Sequence, residues 1–434
     1  MTLRNYLQIL EQAKQLVTVH KPISKHLALS GLLKALEPAP VLCEQVLASK
    51  FPVMGNLLCT KEAFANYLDI PVKAIIPRMI SAIEAPSAPE RVSSAPCQAV
   101  VIDQPNLDDL PILFHCEGDG GNYISSGVMI AGHPRYGQNM DFHRCMQFSK
   151  TEMAVRVVQG RNFDAFLRDL GQVDVAICIG VAPNILVAGA TSVQIGVDEL
   201  GIANALAPFQ VVPARASNLL IPAEAEFVLE GTVYRDRRHA EGPFVDLTET
   251  QDTIRQEPVL VVKCITHRED AIWHALLPGG LEHKLLMGMP REPTIFREVN
   301  RVVQCLDVHI NPGGSSWLHA IVQIRKRTPD DGLKAIHAAH QGHSSCKHIF
   351  VVDEDIDIYD PLAVEWALAT RFQADRDLVW LGRERGSSLD PSAEPTTHAT
   401  CKVGFDLTAP IDLARKTFVK VPFPQVDPGQ YDVG

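Results

Sequence analysis

Two short segments of the sequence carry polar side chains that could perform acid–base or ligand-binding chemistry. In QNMDFHR, Asn139 and Arg144 lie five residues apart, just after an expected turn. An asparagine carbonyl is a hard oxygen ligand for a cation, and an arginine is a permanently charged fork for carboxylates or phosphates. In HAEGPFVDL, Glu241 and Asp246 flank a Gly-Pro turn that can hold two carboxyl groups at one cavity wall. One could pair with an arginine while the other donates a proton, although ordinary surface loops are the alternative for both segments.

Three further candidates lie in the last third of the sequence. Lys402, in ATCKVGFDLT, opens an apolar strand, where a phosphate contact competes with plain surface exposure. An acidic cluster could hold a divalent cation or cap the next helix. A histidine cluster could bind a transition metal, although helical spacing spreads its members over a wide arc. The acidic cluster comprises Asp353, Glu354, Asp355, Asp357 and Asp360, and the histidine cluster comprises His337, His340, His343 and His348.

The composition excludes several classes of protein. With 40 Lys and Arg against 51 Asp and Glu, the 434-residue chain has a formal charge of −11 and should repel a nucleic-acid backbone. Its longest uncharged stretch, 175–197, is interrupted by proline and polar residues, so we expect no membrane span. P-loop, GxSxG, HExxH and dinucleotide-binding motifs are absent. Ten scattered cysteines without a CxxC pair predict buried free thiols in a reducing cytoplasm, and the amphipathic N-terminus predicts a mature protein that starts at Met1.

Three units of structure must position the candidate residues. We expect an α/β unit over 1–95. Short β-rich runs separated by Gly, Pro and Asn turns predict a β-barrel or β-sandwich domain over 96–295. Alternating helical and strand patterns predict a C-terminal α/β domain over 296–434. The predicted fold class is therefore mixed α/β and β, in the sense of an α+β protein.

Four local features follow from the same patterns. Charged and apolar residues alternate at helical spacing over 3–17, which predicts a helix. Ala, Pro and Ser dominate 81–96, which favours an extended connector and a domain boundary. Residues 383–399 are rich in Ser, Pro and Gly and should form a loop. The apolar tail over 422–434 indicates a segment that packs on a neighbouring subunit.

Several rare strings occur in a single order along nearly the whole chain. These strings are the segment from Asn139 to Arg144, Arg161, DELG with Glu199, IPAEAEFVLEG, EGPFxD, HRED, LPGGLEHKLL, VVDEDIDIYD and CKVGFDLT. In this order they closely resemble the UbiD family of prenylated-flavin-dependent decarboxylases. The resemblance implies a central split β-barrel that binds prenylated FMN. It also implies reversible removal of CO2 from aromatic, heteroaromatic or α,β-unsaturated carboxylic acids.

The resemblance implies roles for individual residues around the cofactor. Asn139 and Glu199 correspond to ligands of the Mn2+ that ties the cofactor phosphate to the protein, which agrees with the preference of hard cations for oxygen; K+ is a further candidate ion. Lys402 resembles the lysine that reaches the phosphate. Many members have a histidine as third metal ligand where this sequence has Asn162, so ligation by Asn162 stays open. The other implied cofactor contacts are Phe142, His143 and Arg144 on one strand, Arg156, Val157 and Val158 on the next, and Arg161 and Asn162 in a loop.

Arg144, Glu241 and Asp246 then resemble the catalytic arginine and two acidic residues of the family. The cofactor would act as the electron sink, while Arg144 keeps Glu241 ionised and orients the substrate carboxylate. Asp246 would protonate the product carbon, a position at which some relatives have Glu. A buried arginine kept with two acids argues against a cofactor-free scaffold. The missing dinucleotide fingerprint argues against a plain FMN oxidoreductase.

The choice of substrate depends on a second pair of residues. His283 and Arg291 are eight residues apart in LEHKLLMGMPRE, a spacing similar to that of furan-dicarboxylate decarboxylases, in which such a pair meets the second carboxylate. We therefore expect conversion of furan-2,5-dicarboxylate to 2-furoate, with another aromatic acid or a phosphorylated enoic acid as alternatives. The expected partners are this small-molecule carboxylic acid, a flavin prenyltransferase that supplies the cofactor, and further copies of the chain in a homodimer or homohexamer.

Overall fold

The N-terminal part of the chain combines helices with short strands. The computed structural model describes residues 1–411, 415–427 and 430. Up to residue 84 its elements are α1 (Leu3–Gln12), β1 (Val17–Val19), β2 (Ile23–Ser24), α2 (Ala28–Leu36), β3 (Val41–Cys43), β4 (Val46–Leu47), β5 (Val53–Gly55), α3 (Lys61–Leu68) and α4 (Ile75–Glu84).

Two boundaries in this part differ from the sequence prediction. Helix α1 ends at Gln12, although the apolar spacing predicts a helix over 3–17. The chain turns at Lys14, which has a left-handed φ of 57°, and β1 then pairs with β3. Tertiary pairing of a β-branched Val-Thr-Val segment thus overrides the helical pattern. Helix α4 extends to Glu84, so the connector predicted over 81–96 starts only after this residue.

The central part is built on one large antiparallel sheet. Its elements are β6 (Glu90–Arg91), β7 (Val100–Ile102), β8 (Asn122–Ile124), β9 (Val128–His133), β10 (Gly137–Phe142), β11 (Cys145–Gln147), β12 (Glu152–Val155), α5 (Asn162–Leu170), β13 (Gln172–Ile179), α6 (Pro183–Gly189), α7 (Glu199–Leu206), β14 (Gln210–Pro213), β15 (Leu220–Pro222), β16 (Phe227–Glu241), β17 (Phe244–Val245), β18 (Gln251–Asp252), β19 (Arg255–His267), β20 (Trp273–His274) and α8 (Leu281–Gly288). Nine strands form this sheet, in the order β10-β9-β13-β16-β19-β12-β11-β8, with β7 also paired to β19. The sheet curls into a half-barrel, which confirms the predicted fold class.

Strands β16 and β19 are the longest of the sheet, with 15 and 13 residues. Alternate side chains, such as Leu229 and Leu260, point into the apolar core. Pairing of the two strands shifts between Tyr234 and Arg238, and Glu241 then lies opposite Arg255. This irregularity carries the polar ends of both strands out of the core and towards the candidate site.

The C-terminal part is a mixed five-stranded sheet with helices. Its elements are α9 (Glu292–Asn300), β21 (Gln304–Ile310), β22 (His319–Arg325), α10 (Asp331–Gly342), β23 (His348–Asp353), α11 (Pro361–Arg371), β24 (Leu378–Arg385) and β25 (Ala399–Asp406). The strand order is β21-β22-β23-β25-β24, with the inner three strands parallel and the outer two antiparallel to their neighbours. The loop predicted over 383–399 is too long at both ends, because Arg385 ends β24 and Ala399 begins β25.

The acidic cluster of the C-terminal part does not form a cation site. Among the residues that the structure describes, no three His, Cys, Asp or Glu side chains are placed to hold a metal ion. The buried Arg371 instead pairs with Asp353 at 3.0 Å and with Asp355 at 2.6 Å. Asp360 caps α11 by accepting a hydrogen bond from the backbone N–H of Leu362. The capping alternative is therefore correct for Asp360.

The histidine cluster is divided among different partners. Nε2 of His340 lies 2.6 Å from Glu384, and Nδ1 of His348 lies 2.7 Å from Nε2 of His319. The ring of His343 points instead at the carbonyl of Trp317, at 3.2 Å. The transition-metal reading of these histidines is therefore wrong.

Contacts between the parts hold the site region together. Strand β20 pairs with β5, so the N-terminal sheet, with the order β1-β3-β5-β20, is completed by the central chain. Lys61 of α3 forms an ion pair with Glu292 of α9, with 2.5 Å between Nζ and Oε2. All ten cysteines are free and eight of them are buried, as predicted. Within the described ranges, the structure contains no helix of the length and apolarity needed to cross a membrane. The predicted tail over 422–434 lies partly outside the described residues.

Candidate active site

Arg144 is the centre of a buried group of charged side chains. Its Nε and Nη2 atoms donate hydrogen bonds to the two carboxylate oxygens of Glu241, at 2.9 and 3.2 Å. Nη1 donates to Asp246 at 2.5 Å, and Nη2 also donates to Asp252 at 2.8 Å. The side chains of Arg144 and Asp252 are each 9% exposed, and that of Glu241 is fully buried. The structure thus brings together the three predicted residues, and it adds Asp252, which the sequence reasoning missed.

A short hairpin places Asp246 and Asp252 on the same guanidinium. Strands β17 and β18 pair Phe244 with Asp252, and the backbone N–H of Asp246 donates to the carbonyl of Thr250 at 3.1 Å. One carboxylate therefore follows the first arm of the hairpin and the other ends the second arm. The Phe244 ring lies 4.6 Å below the Arg144 guanidinium, so the cation is also covered by an aromatic face.

Tyr123 and Gly242 fix the carboxylate of Glu241 from the opposite side. The Tyr123 hydroxyl donates to Glu241 at 3.1 Å and accepts from the backbone N–H of Gly242 at 3.1 Å. Gly242 has a φ of +98°, and a Cβ there would lie 2.9 Å from the carbonyl oxygen of Thr253, so this turn requires glycine. Glu241 consequently accepts from Tyr123 as well as from Arg144, which keeps the carboxylate in one position.

The charges in this group stabilise one another. Burial opposes the charge of Arg144, but Glu241, Asp246 and Asp252 outweigh burial and raise the pKa of Arg144. Burial also raises the pKa of Asp252, but the hydrogen bond from Arg255 and the charge of Arg144 outweigh it and lower the pKa to about 2. Both Arg144 and Asp252 are therefore charged at neutral pH.

Asp252 does have a signal in the sequence. It lies three residues before Arg255 in QDTIRQ, directly after the EGPFVDL motif and at the start of an apolar strand. Nη1 of Arg255 donates to Asp252 at 2.5 Å. An acid and an arginine at this spacing, next to a motif that already supplies two acids, indicate a charge network that extends into the following strand.

His283, predicted to contact substrate, is half-buried and lies near Asp246. Its Nδ1 atom accepts a hydrogen bond from the backbone N–H of Gly279 at 3.1 Å, so the neutral ring carries its proton on Nε2. Burial lowers the pKa of His283, against the opposing charge of Asp246. His283 can therefore donate one hydrogen bond without adding a charge to the site.

Asn139 and Glu199, predicted as metal ligands, are both buried, at the side of the sheet where β10 meets α7. Asn139 is 4% exposed and Glu199 is 3% exposed. Glu199 accepts a hydrogen bond from the backbone N–H of Met140 at 3.0 Å, whereas the side-chain nitrogen of Asn139 has no hydrogen-bond partner among the described residues. Burial raises the pKa of Glu199 to about 8, an effect that a bound cation would reverse. These two oxygen donors fit a hard cation.

The residues predicted to contact a flavin lie on two adjoining segments. They are Phe142, His143, Arg156, Val157 and Val158. Nδ1 of His143 donates to the carbonyl of Arg156 at 2.9 Å, and the backbone N–H of Arg156 donates to the carbonyl of Arg144 at 3.0 Å. Val158 is 46% exposed, so this end of the segment is open to a ligand. The two segments therefore lie side by side and next to Arg144.

A second cationic group surrounds Arg291. Its Nη2 atom donates to the hydroxyl of Ser192, and its guanidinium lies 5.3 Å from the centre of the Trp317 ring. Burial lowers the pKa of Arg291 to about 10, and the charge of Arg161 adds to this effect. Nε of Arg291 has no hydrogen-bond partner, and no described carboxylate forms an ion pair with it. Partial burial of a cation without a counter-charge is unfavourable, so this position fits a bound anion.

The predicted cofactor loop lies next to Arg291. Arg161 precedes α5, which begins at Asn162, and the Asn162 amide donates to the carbonyl of Val193 at 3.4 Å. Since Val193 follows Ser192, the loop that carries Asn162 and the loop that contacts Arg291 are neighbours.

Lys402 is fully buried, so the alternative of a surface lysine is wrong. Its Nζ atom donates to the carboxylate of Glu384 at 2.9 Å and to the carbonyl of Ser344. Burial lowers the pKa of His343 to about 3, helped by the charges of Arg291 and Lys402, which places Lys402 within electrostatic range of the anion position. A contact between Lys402 and a phosphate stays a prediction.

His115 gives this part of the structure a testable pH dependence. Its ring is 4% exposed, lies 6.3 Å from the Phe244 ring, and finds no hydrogen-bond partner for Nδ1 in the part of the chain that the structure describes. Burial lowers the pKa of His115 to about 3, whereas an unfolded histidine titrates at about 6.5. As the pH falls below about 6.5, the unfolded state binds the proton first, and this group removes about 1.4 kcal/mol of stability per pH unit.

We therefore expect the His115→Leu variant to lose this contribution to the pH slope. Urea unfolding at several pH values would show the stability of the variant improving relative to wild type by about 1.4 kcal/mol per pH unit on acidification. A constant difference between the two proteins would mean that the folded protein protonates His115 as easily as the unfolded chain does.

Three sequence profiles of one family match consecutive parts of the chain. The UbiD 3-octaprenyl-4-hydroxybenzoate carboxy-lyase profiles match residues 7–83 with the N-terminal domain, 90–281 with the Rift-related domain and 284–407 with the C-terminal domain. The chain belongs to the UbiD family. The family resemblance seen in the motifs is confirmed, and this UbiD-family member is an enzyme of the carboxy-lyase class.

Relatives of this UbiD-family chain cover its full length. It is 38% identical to the anhydromevalonate phosphate decarboxylase of Methanocaldococcus jannaschii over 92% of this chain and 96% of the relative. It is also 38% identical to that of Methanothermobacter thermautotrophicus, over 95% and 98%. The solved structure of the UbiD-class enzyme HmfF from Pelotomaculum thermopropionicum in complex with FMN has a TM-score of 0.96 and 32% identity, covering 99% of this chain and 100% of that one. An evolved dimeric form of HmfF in complex with prFMN has a TM-score of 0.91 and 31% identity, covering 99% of each chain.

Proposed function

We propose that this UbiD-family enzyme removes CO2 from a phosphorylated α,β-unsaturated acid, with prenylated FMN as cofactor and Asp246 as proton donor. The observation that carries the choice of substrate is the half-buried guanidinium of Arg291, which has no carboxylate partner among the described residues and lies near Arg161. A decarboxylase needs one cationic group for the carboxylate that it removes. A second, separate cation serves a second anionic group on the substrate.

The relatives support a phosphate as this second group. The names of both archaeal relatives specify a decarboxylase of anhydromevalonate phosphate. Furan-2,5-dicarboxylate, expected from the spacing of His283 and Arg291, is the second candidate, because Arg291 could equally bind its second carboxylate. Its support is weaker, since both archaeal relatives are named for a phosphorylated acid.

Arg144 has the donor arrangement to orient the leaving carboxylate. A guanidinium has five N–H groups, and Arg144 directs Nε and both hydrogens of Nη2 to Glu241 and Asp252. Nη1 uses one of its two hydrogens for Asp246, so its other N–H remains available for a substrate oxygen. Arg144 would therefore hold the substrate carboxylate next to the acid that later protonates the product carbon.

The residues around Asn139 and Arg156 fit the proposed cofactor. Prenylated FMN, when bound, supplies the electron sink for cleavage of the carbon–carbon bond. Asn139 and Glu199 would hold Mn2+ against its phosphate, with Lys402 and Arg161 as further cationic contacts and K+ as an additional ion. The aromatic and aliphatic side chains of Phe142, Val157 and Val158 would contact the ring system. Solved structures of HmfF with FMN and with prFMN support prenylated FMN as the cofactor.

Partners follow from the same proposal. A flavin prenyltransferase must supply the cofactor, because this chain is proposed only to use it. Self-association is supported by exposed apolar side chains at the start of the tail and just before it, since Phe423 and Val421 are 92% and 82% exposed. A homodimer or homohexamer would cover this surface.

The Arg291→Met variant tests the choice of substrate. Wild-type protein co-expressed with a flavin prenyltransferase should release CO2 from anhydromevalonate phosphate. Because a hydrogen bond to a charged group contributes about 1.5–3 kcal/mol, the variant should raise KM for this substrate by roughly 10- to 150-fold. Its activity on the same acid without phosphate should be as low as that of wild type.

Two controls make this test specific. Flavin absorbance of the purified variant shows whether Arg291 binds the cofactor phosphate instead, in which case flavin content falls. Arg301→Met removes an exposed arginine that pairs with Glu298 at 2.6 Å and should change neither quantity. Equal turnover of phosphorylated and unphosphorylated acids by wild type would reject the phosphate, and turnover of furan-2,5-dicarboxylate alone would favour the second candidate.

A further inference from the structure

Asp252, near the proposed proton donor, accepts hydrogen bonds from two guanidinium groups. One of its oxygens accepts from Nη2 of Arg144 at 2.8 Å and from Nη1 of Arg255 at 2.5 Å. Its other oxygen accepts from the backbone N–H of Thr253 at 2.8 Å. Asp252 therefore connects two guanidinium groups, and it does so from the hairpin arm opposite Asp246.

The charges of the cluster do not balance. Arg144 and Arg255 supply two positive charges, whereas Glu241, Asp246 and Asp252 supply three negative charges when all are ionised. One proton on one of the carboxylates makes the cluster neutral. In a buried site the neutral state is favoured, because the desolvation cost of an unpaired charge is then avoided.

The contacts decide which carboxylate takes this proton. Glu241 accepts from two nitrogens of Arg144 and from Tyr123, and Asp252 accepts from two guanidiniums. Asp246 accepts from only one guanidinium nitrogen and from the backbone N–H of Leu247 at 2.7 Å. It is also the most exposed of the three carboxylates, at 16%. Asp246 is therefore the carboxylate whose protonation loses the fewest hydrogen bonds to a cation.

Other titratable groups near Asp246 leave the charge balance of the cluster unchanged. His283 is neutral, because burial lowers its pKa. The neighbouring Glu249 is paired with Lys34 at 3.1 Å and with Lys284 at 3.3 Å, and Lys34 is also paired with Glu37 at 2.9 Å, so these two carboxylates and two lysines carry no net charge. Asp119 accepts from the backbone N–H of Val245, and burial raises its pKa. The titratable and charged groups that face Asp246 are thus Arg144, Glu241, Asp252, Arg255, His283, Lys284, Glu249, Lys34 and Asp119.

We propose that Asp252 is a positioning residue for decarboxylation: it holds the Arg144 guanidinium on Glu241 and supplies the negative charge that keeps Asp246 protonated. This inference rests on the proposed role of Asp246 as proton donor. When the bond between the substrate carbon and CO2 breaks, its electron pair stays on the carbon, and the Asp246 proton forms the new C–H bond. Asp246 is then a carboxylate, which Nη1 of Arg144 binds as the structure shows, until water returns the proton.

The pH dependence of the Asp252→Asn holoenzyme tests the proposal. Without the charge of Asp252, the cluster has as many carboxylates as guanidiniums, so Asp246 should lose its proton at lower pH. The descending high-pH limb of the kcat profile should therefore move down by at least one pH unit. At neutral pH kcat should fall at least tenfold, and the loss should shrink as the pH is lowered.

Matched variants separate charge from structure. Asp252→Glu keeps the charge and should return the limb towards its wild-type position. Asp103→Asn alters an exposed carboxylate that lies 3.4 Å from Arg215 and should leave the profile unchanged. An equal loss of kcat at every pH, or a limb that does not move in Asp252→Asn, would overturn the proposal.

An infrared titration makes the test independent of the substrate. In cofactor-free protein, the band of a protonated carboxyl group that disappears in Asp246→Asn reports the proton on Asp246. This band should be lost at lower pH in Asp252→Asn than in wild type. If no acid is decarboxylated but the band shifts as expected, the proposed function fails, and only the effect of the Asp252 charge on the Asp246 proton stands. If acids are decarboxylated but the band does not shift, the inference fails alone.

Discussion

Asp246→Asn should abolish decarboxylation by the holoenzyme while leaving the flavin bound. The asparagine amide has no acidic proton to give to the product carbon, and loss of a general acid typically costs about 10²- to 10⁴-fold in rate. Asparagine can still contact Arg144 through its oxygen, so the hairpin over 244–252 should keep its position. The measurement is single-turnover release of CO2, together with flavin absorbance of the purified variant.

Asp246→Glu is the matched control for this prediction. It restores a carboxylic acid, displaced by about one carbon–carbon bond, and should recover part of the activity. A glutamate is a reasonable replacement, because some relatives in the family are expected to have Glu at this position. Normal turnover by Asp246→Asn would exclude Asp246 as the proton donor and leave the proton source to another group.

Arg144→Met should yield an inactive protein of clearly reduced stability. The methionine would leave the fully buried Glu241 without a cation, and removing one partner of a buried ion pair typically costs about 3–5 kcal/mol. It would also release Asp252 and Asp246 from their shared donor. Denaturant unfolding at neutral pH measures the stability, and CO2 release measures the activity.

Arg144→Lys distinguishes charge from geometry in this prediction. A lysine restores one positive charge, but its single nitrogen cannot contact the two carboxylate oxygens of Glu241 and the Asp252 carboxylate at the same time. We therefore expect partial recovery of stability without recovery of activity. Arg215→Met, which removes an exposed arginine 3.4 Å from Asp103, should change stability by at most about 1 kcal/mol. Full activity of Arg144→Lys would show that the forked geometry is not needed.

The sequence by itself determined the family and the order of the domains, because motifs and apolar periodicity are local properties. The EGPFxD motif contains its turn glycine and both acids. In the C-terminal part, apolar strand segments alternate with helical segments, because parallel strands covered by helices are buried on both faces of the sheet. The fold class was predictable for this reason. Element boundaries were less so: the segment over 13–17 has a helical pattern, but pairing with a distant strand ends the helix.

The partners of individual charges were decided only by the tertiary structure. Lys402, Asp353 and His340 could each have been surface groups or ligands by sequence, but their ion pairs join segments that are far apart along the chain. Asp252 joins the charged group around Arg144 through a hairpin register, and Arg291 lies against the Trp317 ring and away from the described carboxylates. Coulomb energies depend on distance and burial, which no spacing along the chain fixes. Residue types thus determined which chemistry is available, and the three-dimensional packing decided which charges meet.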